Sequence, residues 1–195
     1  MIIKEQFKKY KAGWTRSFLE GISQDEHGNL LPWMTYPAIE FLQKYLTKKH
    51  DVFEFGCGAS TIFFAQKVKK VYGVETNQKW LDLINDKLQS LDLTAQIELM
   101  ENGIDNKNYE IFPQKFEKKF DIIVIDSLKR FLCAQHAVNF IKDDGIIILD
   151  DSQRENYKKI FEFFAKNGFE KRDFLGIEPG KLKMKNTTVF FNLGV

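Results

Sequence analysis

The chain has 195 residues, 44% hydrophobic and 14% aromatic, which is enough to close one substantial core and too few for two full domains. With 29 basic and 27 acidic side chains, the net charge of +2 gives no electrostatic argument for or against a nucleic-acid partner. Two cysteines, Cys57 and Cys133, are too few for a disulfide framework, and no apolar run approaches the ~18 residues of a membrane span. We therefore expect a cytoplasmic protein without a membrane partner.

The first fifty residues are predicted to form a helical cap within the same domain. Residues 3–20 place charged and apolar side chains in a helical pattern, and residues 21–29 have the composition of a loop. A second helix follows, with Pro37 suited to its first turn. Trp33 and Tyr36 come just before it. They either line the mouth of the predicted sheet or pack in the core.

Residues 51–61, with the sequence DVFEFGCGAST, combine a buried strand, a glycine turn and the start of a helix. Glycine allows positive φ and lets the backbone approach a ligand closely, so Gly56 and Gly58 indicate a binding turn. Glu54 is an acidic side chain inside an otherwise apolar strand, where a charge is costly without a partner. This stretch therefore predicts a ligand over the end of the first strand.

A second buried strand ends at Glu75, 19 positions after Gly56. This spacing is close to the ~20 residues at which a strand-end carboxylate meets ribose hydroxyls in nucleotide-binding βαβ units. We therefore place Glu75 on a ribose.

The rest of the chain continues the alternation of strands and helices. We predict helices over 78–91, 131–141 and from 157 to about 167, a third strand over 95–100, a fourth over 120–127 and a fifth over 143–152. Two final strands are predicted over 169–175 and 187–192, joined by a hairpin-like connection over 176–186. The fourth strand ends at Asp126 and the fifth at Asp150 and Asp151. Because the carboxyl ends of parallel strands share one edge, these carboxylates should face the same crevice as Gly56 and Glu75.

The run from Glu54 to Ser60, EFGCGAS, with Glu75 at the end of the next strand, resembles the first two motifs of class I S-adenosylmethionine-dependent methyltransferases. The sequence PWMTYPAIEF over 32–41, followed by the glycine turn and by LDDSQRENY over 149–157, resembles an uncharacterised bacterial group of methyltransferases. The class I motifs have a third glycine where this chain has Ser60. Dinucleotide dehydrogenases keep glycine or alanine there and seldom have an acid at the position of Glu54. The resemblance covers roughly residues 51–192. It implies an α/β fold of three layers, doubly wound around a mostly parallel seven-stranded sheet whose last strand is antiparallel, with residues 1–50 as a helical cap.

The resemblance implies transfer of a methyl group from S-adenosylmethionine to a small-molecule or sugar-type acceptor. Oxygen is the expected target, because no N/D-P-P-Y/F motif of amino-group methyltransferases follows the fourth strand. The residues expected to act in catalysis are Asp126, Asp150 and Lys129. The residues expected to bind the cofactor are Glu54, Phe55, Gly56, Cys57, Gly58, Ser60, Thr61, Glu75, Thr76, Asn102, Asp126 and Ser127.

Three interpretations of the strand-end carboxylates stay open. Asp126, Asp150 and Asp151 have the oxygen ligands that a divalent cation prefers, which resembles the metal-dependent catechol-type O-methyltransferases. In those enzymes an asparagine stands at the position of Asp151 and a general-base lysine at that of Lys129. Alternatively, the carboxylates cap helices and bond backbone N–H groups, or they orient an acceptor hydroxyl or amine.

Two other functions also remain open, together with the oligomeric state, for which a homodimer is one option. A nicotinamide-dependent oxidoreductase would use the same glycine turn, and a catalytically inactive protein of this fold would bind a nucleoside without turning it over.

Overall fold

The architecture comes from a computed structural model, which describes residues 2–101 and 105–192. Two helices come first, and strands and helices then alternate. The elements are α1 (Ile2–Glu20), α2 (Tyr36–Tyr45), β1 (Asp51–Phe55), α3 (Ala59–Ala65), β2 (Lys70–Glu75), α4 (Gln78–Ser90), β3 (Gln96–Leu99), β4 (Phe120–Ile125), α5 (Arg130–Ala137), β5 (Ile141–Leu149), α6 (Lys158–Lys166), β6 (Phe169–Glu178) and β7 (Lys181–Asn192), with short 3₁₀ helices at Phe112–Phe116 and Glu155–Tyr157.

All seven strands form one sheet in the order β3-β2-β1-β4-β5-β7-β6. The pairs from β3 to β5 are parallel, while β7 is antiparallel to both of its neighbours. The predicted fold class is thus confirmed, including the antiparallel last strand. The strand order reverses between β1 and β4, and ligands of such sheets bind in the crevice at the carboxyl ends flanking that reversal.

The sheet is buried on both faces, which is why its central strands are continuous apolar runs. Successive side chains of a strand point to opposite faces. Val52, Val124 and Ile148 accordingly pack into a core beneath α2 and α3. Phe53 and Ile123 pack into a second core, beneath α5 and α6. The sheet and the helices on its two faces are the three layers of the predicted architecture, and one core lies on each face of the sheet.

The N-terminal helix packs against the hairpin of β6 and β7. Gln6 pairs with the backbone of β6: its side chain donates to the Leu175 carbonyl at 3.3 Å and accepts from the Ile177 N–H at 2.9 Å. A side chain at Gly176 would clash here, because its Cβ would lie 2.6 Å from Gln6 Oε1. None of the described helices is long and apolar enough to span a membrane.

The two last strands form the predicted hairpin, but the predicted extent of its connection, over 176–186, is wrong. Both strands continue through it and pair as far as Glu178 and Lys181, so that only Pro179 and Gly180 form the turn. Residues 181–185 alternate lysine with leucine and methionine, which is a strand pattern of period two. Their charge favours a loop, but Lys185 is buried because three carboxylates surround it.

The predicted boundary between the fifth helix and the fifth strand is also wrong. The helix expected over 131–141 ends at Ala137, and β5 begins at Ile141, two residues before Asp143. Ile141 is fully buried and pairs with Phe120 of β4, so its side chain belongs to the sheet core and not to a helix face.

Candidate active site

The glycine turn joins β1 to α3 at the carboxyl edge of the sheet. Gly56 has φ +84°, and a Cβ there would lie 2.5 Å from the carbonyl oxygen of Asp126. Only glycine fits this close approach. Gly58 has extended backbone, and its Cβ would lie 3.6 Å from the Trp80 ring, an ordinary contact. Its N–H donates to the hydroxyl of Thr61 at 3.0 Å, which fixes the start of the helix.

The two glycines are therefore expected to respond differently to alanine. Gly56→Ala should lower the free energy of unfolding by about 1–3 kcal/mol, because it combines a strained φ with a backbone clash. Gly58→Ala should change it by less than about 1 kcal/mol, because its φ suits any residue. Urea unfolding of the two variants measures this difference. Equal destabilisation would contradict the geometry of the turn.

Glu75 ties the turn to the end of β2. Its side chain accepts hydrogen bonds from three backbone N–H groups: Cys57 at 3.0 Å, Thr76 at 2.7 Å and Asn77 at 2.9 Å. An ionised carboxylate has about four acceptor positions, so this network leaves room for one further donor. Glu75 is largely buried yet lines the crevice, and its contact with a ribose stays a prediction.

Glu54 lies behind the turn, fully buried in the middle of β1. Neither of its carboxylate oxygens has a hydrogen-bond partner of good geometry among the described residues. Burial raises the pKa of Glu54 to about 7, while the nearby Ser60 and Thr61 hydroxyls partly oppose this rise. An unpaired buried acid is costly, so it indicates a functional demand on this position.

Trp80 covers the outside of the turn, and the sequence does not predict this. Its indole N–H donates to the Cys57 carbonyl at 2.6 Å, and 43% of the residue is exposed. The helical pattern groups Trp80 with Leu81, Ile84 and Leu88, but only those three lie on the buried face of α4. The sequence feature that could have indicated this role is the position of Trp80 in the first turn of α4, the helix that follows Glu75.

At the end of β4, Asp126 is paired with Arg130. The Arg130 guanidinium donates to Asp126 Oδ1 at 2.6 Å and to the Ser127 carbonyl at 2.9 Å, and it also bonds the carbonyl of Asp150. Its carbon Cζ lies 5.4 Å from the centre of the Tyr157 ring. Arg130 thus fixes the ends of β4 and β5 relative to each other and leaves Asp126 half-exposed, with Oδ2 outside this pair.

At the end of β5, Asp150 is buried and fully engaged. Lys185 donates to its Oδ2 at 2.5 Å and Thr187 to its Oδ1 at 2.7 Å. Lys185 is also 2.8 Å from Glu178 and 3.4 Å from Asp151. Burial alone would lower the pKa of Lys185, but the carboxylates of Asp150 and Glu178 raise it above its ordinary value. Burial and the charge of Asp126 raise the pKa of Asp150 to about 7, against the opposing effect of Lys185.

The strand-end carboxylates do not fit a divalent-cation site. Asp126 pairs with Arg130, Asp150 with Lys185, and Asp151 with Arg154 and Lys185. A cation would have to displace these basic groups, which already neutralise the oxygens that it needs. Across residues 2–101 and 105–192, no group of three or more histidine, cysteine or acidic residues could hold a metal ion. The proposed reaction therefore does not use these carboxylates as metal ligands.

Lys129 lies at the start of α5 with φ +52°. Its ammonium donates to the Asn106 carbonyl at 2.9 Å and lies 3.6 Å from Glu110. The side chain is thus held toward the segment before β4. It lines the helix side of the crevice while its ammonium group is held by these two partners.

Three adjoining cavities form the crevice, and Asp126 lines all of them. The turn cavity, of about 380 Å³, is lined by Pro32, Trp33, Met34, Gly56, Cys57, Gly58, Ala59, Ser60, Glu75, Asn77, Trp80 and Asp126. The helix cavity, of about 590 Å³, is lined by Gly56, Glu75, Thr76, Tyr109, Asp126, Ser127, Leu128, Lys129, Arg130, Phe131, Leu132, Arg154, Asn156 and Tyr157. The polar cavity, of about 470 Å³, is lined by Trp33, Asp126, Asp150, Asp151, Gln153, Arg154, Glu178, Lys181, Lys183 and Lys185.

Most of the predicted site residues therefore meet at one crevice. Glu54, Phe55 and Thr61 lie behind its wall: all three are fully buried, Phe55 packs with Phe53 and Tyr109, and Thr61 caps α3. Asn102 lies outside the described residues. Trp33 lines the crevice, one of the two alternatives given for it, while Tyr36 is buried. The lining residues that the sequence does not identify as such include Trp80, Arg130, Arg154 and Lys185.

No family model matches the chain. Over 95 residues it is 38% identical to an uncharacterized RNA methyltransferase from Clostridium tetani, a match that covers 43% of this chain and 18% of that protein. Over 142 residues it is 26% identical to the ribosomal protein L11 methyltransferase of Dictyoglomus turgidum, covering 70% of this chain and 44% of that one. The matches thus span less than half the length of either curated relative.

A solved structure shares the fold. The O-methyltransferase TomG from Streptomyces achromogenes, involved in tomaymycin synthesis and determined in complex with S-adenosylmethionine, superimposes with a TM-score of 0.62 at 10% identity, covering 80% of this chain and 77% of that one. The fold is therefore the Rossmann-like fold of class I methyltransferases, and the resemblance seen in the sequence is confirmed at that level.

Proposed function

We propose that this chain is an S-adenosylmethionine-dependent methyltransferase whose donor lies across the turn and helix cavities. The observation that carries this proposal is the junction of Gly56 and Glu75, which line both cavities. A nucleoside with its ribose on Glu75 would extend into one cavity on each side. The bound S-adenosylmethionine of the TomG structure supports the same donor.

The chemistry of the two cavities supports one orientation of the donor. Leu128, Phe131 and Leu132 give the helix cavity apolar contacts that suit the flat adenine ring. The turn cavity has Ser60 in its wall and the carboxyl group of Glu54 behind it, which suits the ammonium of the methionine end. The donor's methyl group would then lie near Asp126.

The polar cavity is the proposed acceptor site. All of its lining residues except Trp33 are polar or charged, which favours a hydrophilic small molecule, such as a sugar, over an apolar one. Trp33 and Asp126 line both this cavity and the turn cavity, so the methyl group would pass between them.

In the proposed reaction, the acceptor oxygen attacks the methyl carbon in line with the carbon–sulfur bond, whose electron pair stays on sulfur to leave S-adenosylhomocysteine. The acceptor's proton passes to Asp126, whose Oδ2 lies outside the pair with Arg130. Asp150 and Lys129, the other predicted catalytic residues, are held by Lys185 with Thr187 and by Asn106 with Glu110. We therefore assign the proton transfer to Asp126 alone.

Transfer of methyl-labelled S-adenosylmethionine to three separate acceptor pools tests the proposed acceptor. The pools are hydroxylated small molecules from a deproteinised cell extract, total RNA, and ribosomal proteins. We expect label in the first pool only. Label in RNA or ribosomal protein would refute the small-molecule acceptor and leave the proposed donor site unaffected.

The free thiols of Cys57 and Cys133 support a reducing, cytoplasmic setting for this reaction.

A further inference from the structure

Lys185 joins three separate parts of the chain at the edge of the polar cavity. Its side chain is only 7% exposed. The ammonium donates to the Trp33 carbonyl at 2.7 Å and to Asp150 at 2.5 Å, and it lies 2.8 Å from Glu178. The ammonium thus makes two hydrogen bonds and one further ion pair. The segment before α2 is thereby joined to the ends of β5 and β6.

We propose that Lys185 is a positioning residue for methyl transfer: by holding the Trp33 backbone, it sets the wall between the donor and acceptor cavities. The inference rests on the proposed function for the roles of these cavities. Trp33 is the residue besides Asp126 that lines both, and its indole ring lies 4.5 Å from the ammonium of Lys181.

Hydrogen bonds of the uncharged Thr187 side chain fix the same segment before α2 a second time. Thr187 donates to Asp150 at 2.7 Å and accepts from the Thr35 N–H at 3.2 Å. The Thr35 hydroxyl in turn donates to the Phe174 carbonyl at 2.8 Å. Trp33 and Thr35 are thus each fixed to the sheet edge, two residues apart, through Asp150.

Stability alone does not explain such a buried cluster. Desolvation makes buried ion pairs poor contributors to stability, and apolar residues of similar volume often do as well or better. The cluster lies where the wall of the crevice is built, and its hydrogen bonds end on the backbone of the wall. Its effect is therefore to give that wall a single position.

The test combines two measurements on Lys185→Met. Calorimetry with S-adenosylhomocysteine reports the donor cavity, and we expect about tenfold weaker binding once the wall loses its tie. Acrylamide quenching reports the wall itself, in a background with Trp14→Phe and Trp80→Phe so that Trp33 is the sole indole. We expect Trp33 to become more accessible.

Lys118→Met is the matched control. Lys118 pairs with the buried Asp51 at the opposite edge of the sheet, so its loss also removes a lysine–aspartate pair. It should cost stability but leave both measurements unchanged. If Lys185→Met fails to fold, Thr187→Val loosens the same segment without leaving a buried charge, and it should weaken binding by about threefold or more.

Unchanged affinity and unchanged quenching in a folded Lys185→Met, or in Thr187→Val where the first variant does not fold, would overturn the proposal. A wild-type protein that binds no S-adenosylhomocysteine would refute the proposed function instead. The quenching comparison would then still decide whether Lys185 positions Trp33.

Discussion

Replacing Asp126 with asparagine is expected to slow methyl transfer by about 10²- to 10⁴-fold, the usual contribution of a general base. Asparagine has nearly the same shape, and its side-chain oxygen can still accept from Arg130, as Asp126 Oδ1 does at 2.6 Å. The donor cavities should therefore keep their form. What is lost is the carboxylate that takes the acceptor's proton at the meeting point of the three cavities.

The measurement is single-turnover label transfer to the acceptor pool that wild type methylates, with affinity for S-adenosylhomocysteine measured in parallel. The control is Asp121→Asn, near the opposite end of β4, where Asp121 pairs with Lys142 at 2.8 Å. We expect this control to transfer at the wild-type rate. An Asp126→Asn variant that matches it would show that Asp126 takes no proton.

Replacing Glu54 with glutamine is expected to remove a pH-dependent loss of stability that reaches about 3 kcal/mol at pH 8, because each pKa unit corresponds to about 1.4 kcal/mol and burial raises the pKa from 4.5 to about 7. Above pH 7 the wild-type fold holds an ionised carboxylate in a fully buried position, where the Ser60 and Thr61 hydroxyls offset only part of the cost of burial. Glutamine carries no charge to bury.

The pH dependence gives this prediction its sign. Below pH 4.5 the carboxyl group is neutral in both the folded and the unfolded chain, so Glu54 costs little. As the pH rises toward 7, the unfolded chain ionises first, and the wild-type protein loses stability relative to the variant. Urea unfolding of both proteins at pH 5 and pH 8 should show a difference that is small at pH 5 and large at pH 8. A difference that does not change between pH 5 and pH 8 would show that burial does not raise the pKa of Glu54.

The same variant tests the proposed link between Glu54 and the donor. If the ionised carboxylate attracts the ammonium of the methionine end, wild-type affinity for S-adenosylhomocysteine rises as the pH passes through 7. Glu54→Gln should lack this rise and bind more weakly at pH 8. Identical affinities across this range would separate Glu54 from the donor.

The sequence predicts the sheet well because its signals are local. Unbroken apolar runs mark β1, β4 and β5, and the backbone geometry at Gly56 needs a residue without Cβ. The position of Glu75 follows from the length of one strand–helix–strand unit. These features depend on residues within about 20 positions of each other, the range in which pattern and spacing carry information.

The parts that sequence does not predict depend on distant contacts. Lys185 donates a hydrogen bond to the Trp33 carbonyl, 152 positions away in the sequence. Nothing in the sequence pattern around either residue predicts this contact. Lys129 has the spacing of a catalytic lysine, but its backbone at φ +52° directs it to Asn106. Spacing along the chain predicts on which element a residue lies. The direction of its side chain depends on partners that are distant in sequence and become neighbours only in the folded protein.

Titration calorimetry with S-adenosylmethionine, S-adenosylhomocysteine and NAD, run in parallel on the native chain at pH 7.5, tests the proposed donor site most directly. We predict micromolar binding of both sulfur nucleosides, about −8 kcal/mol, and no heat from NAD. Binding of NAD without binding of either sulfur nucleoside would contradict the methyltransferase assignment and leave only the sheet and its crevice.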